Sequence, residues 1–152
     1  MEHSSLNQRV DNLISLINQK AQEYRRKQIQ QYEIEAMKRL PQKFGTVIPE
    51  KEVEIWMEKF EKVIQKLPSS TEKGTPYVKA KNELFRDLNK KYKIQRKGQW
   101  TAIMLPVFMS SIGVAIGAST GNLALWIPIG IIIGFVVGRS IDKNAEKKGL
   151  VF

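Results

Sequence analysis

The chain has 152 residues, enough for one domain, and a net charge of +10 from 25 Lys and Arg against 15 Asp and Glu. It holds no cysteine and one histidine, His3, which excludes disulfides, thiolate metal sites and a His-Glu-x-x-His zinc site, and argues against a nucleophile–histidine pair. A basic excess of this kind suits nucleic acid or an anionic membrane surface, and its placement along the chain favours the membrane.

The start, Met1-Glu2-His3-Ser4-Ser5, is polar and leads into an amphipathic pattern, so no secretory signal is expected. Leu6, Val10, Leu13, Ile14, Ile17, Ala21, Tyr24, Gln28, Tyr32, Ala36 and Leu40, apolar but for Gln28, step by threes and fours. The spacing predicts one long helix ending before Pro41, its stripe thinning beyond Ala21 around Arg25-Arg26-Lys27. That thin half is expected to be exposed or to pair with another chain. Proline and glycine punctuation predicts a loop over residues 41–49.

A second helix is expected from Pro49, with Glu50, Glu52 and Glu54 at its positive end. Val53, Trp56, Met57, Phe60, Val63, Ile64 and Leu67 form its buried face. Residues 68–74 read as a connector, and Thr75-Pro76 as the cap and first turn of a third helix lined by Tyr77, Ala80, Leu84, Phe85, Leu88 and Tyr92. Trp56, Phe60, Tyr77, Phe85 and Tyr92 are the expected aromatic core, thin for a domain standing alone. Glu50, Glu52, Glu54, Glu58 and Glu61 interleave with Lys51, Lys59 and Lys62. They read as a solvated face with pairs such as Glu58 and Lys62, not as catalytic acids.

Between Lys97 and Arg139 lie 41 residues without a charged side chain, broken by Ser119-Thr120-Gly121-Asn122. A bilayer core of about 30 Å takes about 20 helical residues at about 1.5 Å each. Spans are therefore expected over 100–118 and 123–141, the second reaching Ile141 as Arg139 snorkels. The expected fold is all-α: a cytoplasmic helical domain of about three helices over 1–97, a transmembrane helical hairpin over 98–141, and a short cytoplasmic tail over 142–152. Lys90, Lys91, Lys93, Arg96 and Lys97 precede the first span, and Arg139, Lys143, Lys147 and Lys148 follow the second. The turn between them is uncharged, so the positive-inside rule predicts a multi-pass protein with both termini cytoplasmic and with Trp100 and Trp126 at the two interfaces. The competing reading, a buried hairpin in a soluble protein, asks residues 1–97 to wrap two helices that are apolar on every side.

Gly113, Gly117 and Gly121 recur every four residues, as do Gly130, Gly134 and Gly138, so each triplet follows one helix face. In lipid such small residues let backbones approach closely. Ser111, Ala115 and Ser119 form a second small stripe about 200° from the first. The first span is therefore expected to give one face to its hairpin partner and the other to a neighbouring subunit. Centring the turn between Gly121 and Asn122 sets Gly113 level with Gly130, Trp126 over Gly117 and Met109 over Gly134. Pro106 and Pro128 are expected to kink the spans. No ionisable residue lies at membrane depth, which argues against a transporter.

The stretch Ile112-Gly113-Val114-Ala115-Ile116-Gly117-Ala118, residues 121–130, and the ending Asp142-Lys143-Asn144-Ala145-Glu146-Lys147-Lys148-Gly149 follow the basic lead-in Lys90-Lys91-Tyr92-Lys93-Ile94. Together, over residues 88–152, they resemble the bacterial glycine-zipper membrane hairpin proteins. The repeat is sparser than in the densest members, since Met109 and Trp126 stand where a longer zipper would continue. The resemblance implies a bacterial inner (cytoplasmic) membrane location among membrane lipids, and no reaction. Residues 1–87 carry no resemblance.

No catalytic, cofactor or metal site is expected, and the chain does not read as an enzyme. One expectation is a membrane-anchored interaction or scaffold module, self-associating as a homo-oligomer through its spans and offering its helical domain to an unidentified cytoplasmic protein. The alternative is an oligomeric pore-forming or membrane-perturbing effector of toxin or defence type, with Ser110, Ser111 and Ser119 as a mildly polar lining. Nucleic acid is the weaker account, because no aromatic platform interleaves Arg25-Arg26-Lys27.

Overall fold

The computed structural model describes the backbone of residues 2–152 and the side chains from Leu6 onward; the side chain of His3 lies outside the described residues. The chain is all-α, without a strand among the described residues. It divides into two compact units, residues 1–94 together with Phe152, and residues 95–151.

The first unit contains α1 (Glu2–Ala21), α2 (Arg26–Gln31), α3 (Ile34–Val47), α4 (Glu50–Gln65) and α5 (Thr75–Tyr92). The single long helix predicted up to Leu40 is broken twice. At the first break Tyr24 turns inward, and its hydroxyl donates to the carbonyl of Pro68. At the second, Glu33 takes a left-handed conformation with φ of 52°. The rings of Tyr24, Tyr32 and Tyr77 pack edge-on in series, with centroids 5.4 and 5.6 Å apart. A straight helix would leave Tyr24 and Tyr32 in water. Burying two large aromatic rings outweighs the few helical hydrogen bonds lost at the corners. Lys81, only 3% exposed, pins the second corner by pairing with Glu33 at 2.7 Å and donating to the carbonyl of Gln31 at 3.3 Å. The half predicted to be exposed is folded back.

Where a loop was expected, α3 continues through Pro41 to Val47. Phe44 and Ile48 are buried behind it, Phe44 edge-on to Phe60 at 6.0 Å. Burial of two such side chains, about 1.5–3 kcal/mol each, offsets the roughly 3 kcal/mol cost of an interior proline.

The next two helices lie where the sequence places them. Val53, Trp56, Met57, Phe60, Val63 and Ile64 of α4 are buried, as are Tyr77, Leu84, Phe85 and Leu88 of α5. Thr75 is the first helical residue of α5 rather than its cap, a shift of one position. Tyr92 is half-buried; its hydroxyl accepts from the Trp56 indole at 3.1 Å and donates to the Glu52 carboxylate, which also receives Lys91. Glu54 and Glu61 meet Arg9 of α1 at 2.5 and 2.8 Å. The α4 carboxylates thus tie helices together. Phe152 completes this core, its ring 5.2 Å from that of Phe85.

The second unit holds α6 (Gln99–Phe108), a π-helical segment (Met109–Val114), α7 (Ala115–Thr120) and α8 (Leu123–Lys147). The composite helix Gln99–Thr120 and α8, 22 and 25 residues, are long and apolar enough to cross a membrane. The tail predicted from residue 142 is not separate, because α8 keeps burying Asp142 and Ala145. It closes at Gly149 with φ of 70°, where the Leu150 amide donates to Ala145 O at 3.0 Å and the Gly149 amide to Glu146 O at 3.0 Å.

Candidate functional site

Five of the six glycines in the two triplets meet backbone across the hairpin. A Cβ added at Gly113 would stand 2.9 Å from Ile127 Cα, and at Gly117 3.0 Å from Leu123 Cα. At Gly130, Gly134 and Gly138 it would meet Phe108 O at 2.6 Å, Met104 O at 2.7 Å and Thr101 Cα at 2.5 Å. Neighbouring backbone cannot swing aside as a flexible side chain can, so no larger residue fits without parting the helices. Gly121 differs. It sits in the turn with φ of 70° and open space around it, and the Asn122 amide donates to Gly117 O at 2.9 Å. Its role is to end the first helix in a left-handed cap, not to pack.

The register follows the sequence near the turn and departs from it further down. Gly130 faces the Gly113 amide, and Gly117 faces Trp126, as the centred turn predicts. Met109, however, lies against Gly130, while Gly134 meets Met104 and Leu105. The π-helical segment contributes to the slip, since its i→i+5 turns use more residues per unit length than α-helix. Pro106, which lacks an amide, leaves the Ala102 carbonyl without its helical donor just before this segment. Within it the Ser110 hydroxyl donates to Pro106 O and Val107 O at 2.9 and 3.0 Å, and the Ser111 hydroxyl to Val107 O at 2.7 Å. Ser119 donates to Ile116 O at 2.9 Å. Ser111, Ala115 and Ser119 are exposed on the side away from the buried glycines.

The residue the sequence reading missed is Asp142. It is fully buried, and its carboxylate accepts the Trp100 and Thr101 amides at 3.0 and 2.9 Å and the Thr101 hydroxyl at 2.7 Å. Gln95 Nε2 approaches at 3.4 Å, and Gln95 Oε1 accepts the Trp100 indole at 2.9 Å. A carboxylate from the end of α8 thus caps the positive start of α6. One signal was present: Asp142 is the next member of the four-residue series after Gly130, Gly134 and Gly138. Its acceptors are engaged and it is closed to solvent, so the arrangement is a clasp rather than a reactive acid.

Of the residues expected at the membrane interface, only Trp100 joins this clasp, through its amide and its indole. Lys90, Lys91, Lys93, Lys97, Arg139 and Lys143 are exposed, and Arg96, Trp100 and Trp126 are half-buried. Among the described residues no group of three His, Cys, Asp or Glu is placed to hold a metal ion. No family model matches the chain, and no curated protein and no solved structure matches it at a significant level.

Proposed function

We propose that this chain is a bacterial inner-membrane protein whose C-terminal hairpin anchors a helical interaction module at the cytoplasmic face, with no catalytic role. The observation that carries the reading is the hairpin's outer surface: only 11% of the most apolar window in the first helix and 17% of that in the second is buried. A hairpin serving as the core of a soluble protein would be mostly covered. The glycines consume the inner faces, leaving Ile103, Val107, Leu125, Ile132, Phe135 and Val136 to the solvent around them. Lipid is the solvent that suits such side chains. The uncharged turn and the basic flanks support termini in the cytoplasm.

Self-association runs through the exposed Ser111–Ala115–Ser119 stripe, which offers a second copy a close approach. The pore reading draws less support, because the hydroxyls that would line a channel already donate to carbonyls of their own helix. Fractionation of expressing cells without surfactant tests the anchor: recovery in the carbonate-resistant membrane pellet supports it, and recovery in the aqueous fraction overturns it. Cross-linking of the full chain in membranes tests the contact, which Ser111→Leu with Ala115→Leu abolishes if the stripe forms it.

A further inference from the structure

The outer face of α8 is continuous from its apolar part to its basic end. At 100° per residue, Leu125, Ile132 and Val136 point within about 20° of Lys143, and Ser140 and Lys147 within about 60°. The three apolar residues are 53%, 62% and 60% exposed, whereas the glycines lie within about 40° of the opposite side and Asp142 is buried on one flank. At the basic end an open groove of about 360 Å³ is lined by Ser140, Ile141, Lys143, Asn144 and Lys147. Neither lysine pairs with a carboxylate among the described residues. Asp142 is engaged elsewhere, and Glu146, about 60° from Lys143 on the side away from Ser140, does not line the groove.

We propose that this face binds one anionic phospholipid from the leaflet next to the chain's two ends. Its phosphodiester sits between Lys143 and Lys147, with the Ser140 hydroxyl and the Asn144 amide as further donors. Its acyl chains run along Val136, Ile132 and Leu125. Two cations and two neutral donors without a carboxylate select an anion. The apolar track, which meets the groove along its Lys143 and Lys147 edge, selects a lipid over a free phosphate, and the groove lies where Arg139 marks the end of the uncharged run. The proposal rests on the membrane reading above.

The full chain, purified in detergent and reconstituted in nanodiscs of phosphatidylcholine with a minority of phosphatidylglycerol, is re-extracted and its retained lipid measured by native mass spectrometry. Preferential retention of one phosphatidylglycerol per chain is expected. Lys143→Gln with Lys147→Gln reduces that retention at least tenfold, since both cations facing the phosphodiester are removed. Lys143→Arg with Lys147→Arg restores it, and Lys90→Gln with Lys91→Gln leaves it unchanged. Retention unaffected by the glutamine pair, lack of preference over phosphatidylcholine, or displacement by inorganic phosphate overturns the proposal. A chain that enters nanodiscs yet shows any of these fails on the lipid site alone, whereas one recovered without surfactant fails on the membrane reading itself.

Discussion

Gly138 and Gly45 show how differently one residue type acts at two places. A Cβ at Gly138 would lie 2.5 Å from Thr101 Cα, while one at Gly45, inside α3, meets nothing within 4 Å. Gly138→Ala should therefore destabilise the hairpin by about 1–3 kcal/mol through overpacking. Gly45→Ala should stabilise the first unit by about 0.5–1 kcal/mol, because glycine is the poorer helix former. Thermal melts of the full chain in detergent would show opposite shifts, and equal shifts would contradict the assigned contacts. Glu52 supplies a pH test. Its carboxyl is held below the usual range by Lys91 first and the Tyr92 hydroxyl second. The folded value lies below the unfolded one, so its contribution is complete above the unfolded pKa of about 4.3 and is lost as pH falls through the lower folded value. Glu52→Gln should remove this part of the acid limb of the stability profile, together with the loss above the usual lysine range that comes from Lys91, which Glu52 holds raised.

At the scale of elements, legibility depended on whether the deciding contact was local. The stripes of α4 and α5 contain their own answer, and both helices lie where periodicity puts them. The corners at Tyr24 and Glu33 were illegible because their partners, Pro68 and Lys81, lie some 45 residues away in sequence. Pro41 misled for the same reason: the burial of Phe44 against Phe60 overrides the local signal. The π-helical segment contributed to the shift in hairpin register, and no residue pattern announced it beyond a proline followed by two serines. Asp142 looked like one more charge in a polar ending. Asp142→Ala should cost about 1–2 kcal/mol, the usual loss for a helix cap, by stripping the acceptor from the Trp100 and Thr101 amides. Asp142→Asn, which keeps one acceptor, should cost less. Hydrogen exchange at those two amides reads the difference directly, and equal protection in both variants would refute the clasp.

For the whole molecule, the change from a charged to an uncharged sequence at Lys97 nearly coincides with the division between units at residues 94 and 95. The coarse organisation was therefore readable from charge alone, while Phe152, which joins the first unit's core, gave no such notice. The uncharged turn bears on biogenesis. If both ends remain on one side, only a short peptide cap around Ser119 to Asn122 has to be translocated, and it carries no ion. The cap has already bonded its own amides through the Asn122-to-Gly117 contact, so little bare backbone is dragged through hydrocarbon. Asn122→Lys would add a cation whose transit costs about 2.5–3.5 kcal/mol on an insertion scale. The fraction of chains protected from external protease after synthesis should fall accordingly, making this tip the point where a hairpin that threads itself as one piece is most easily stalled.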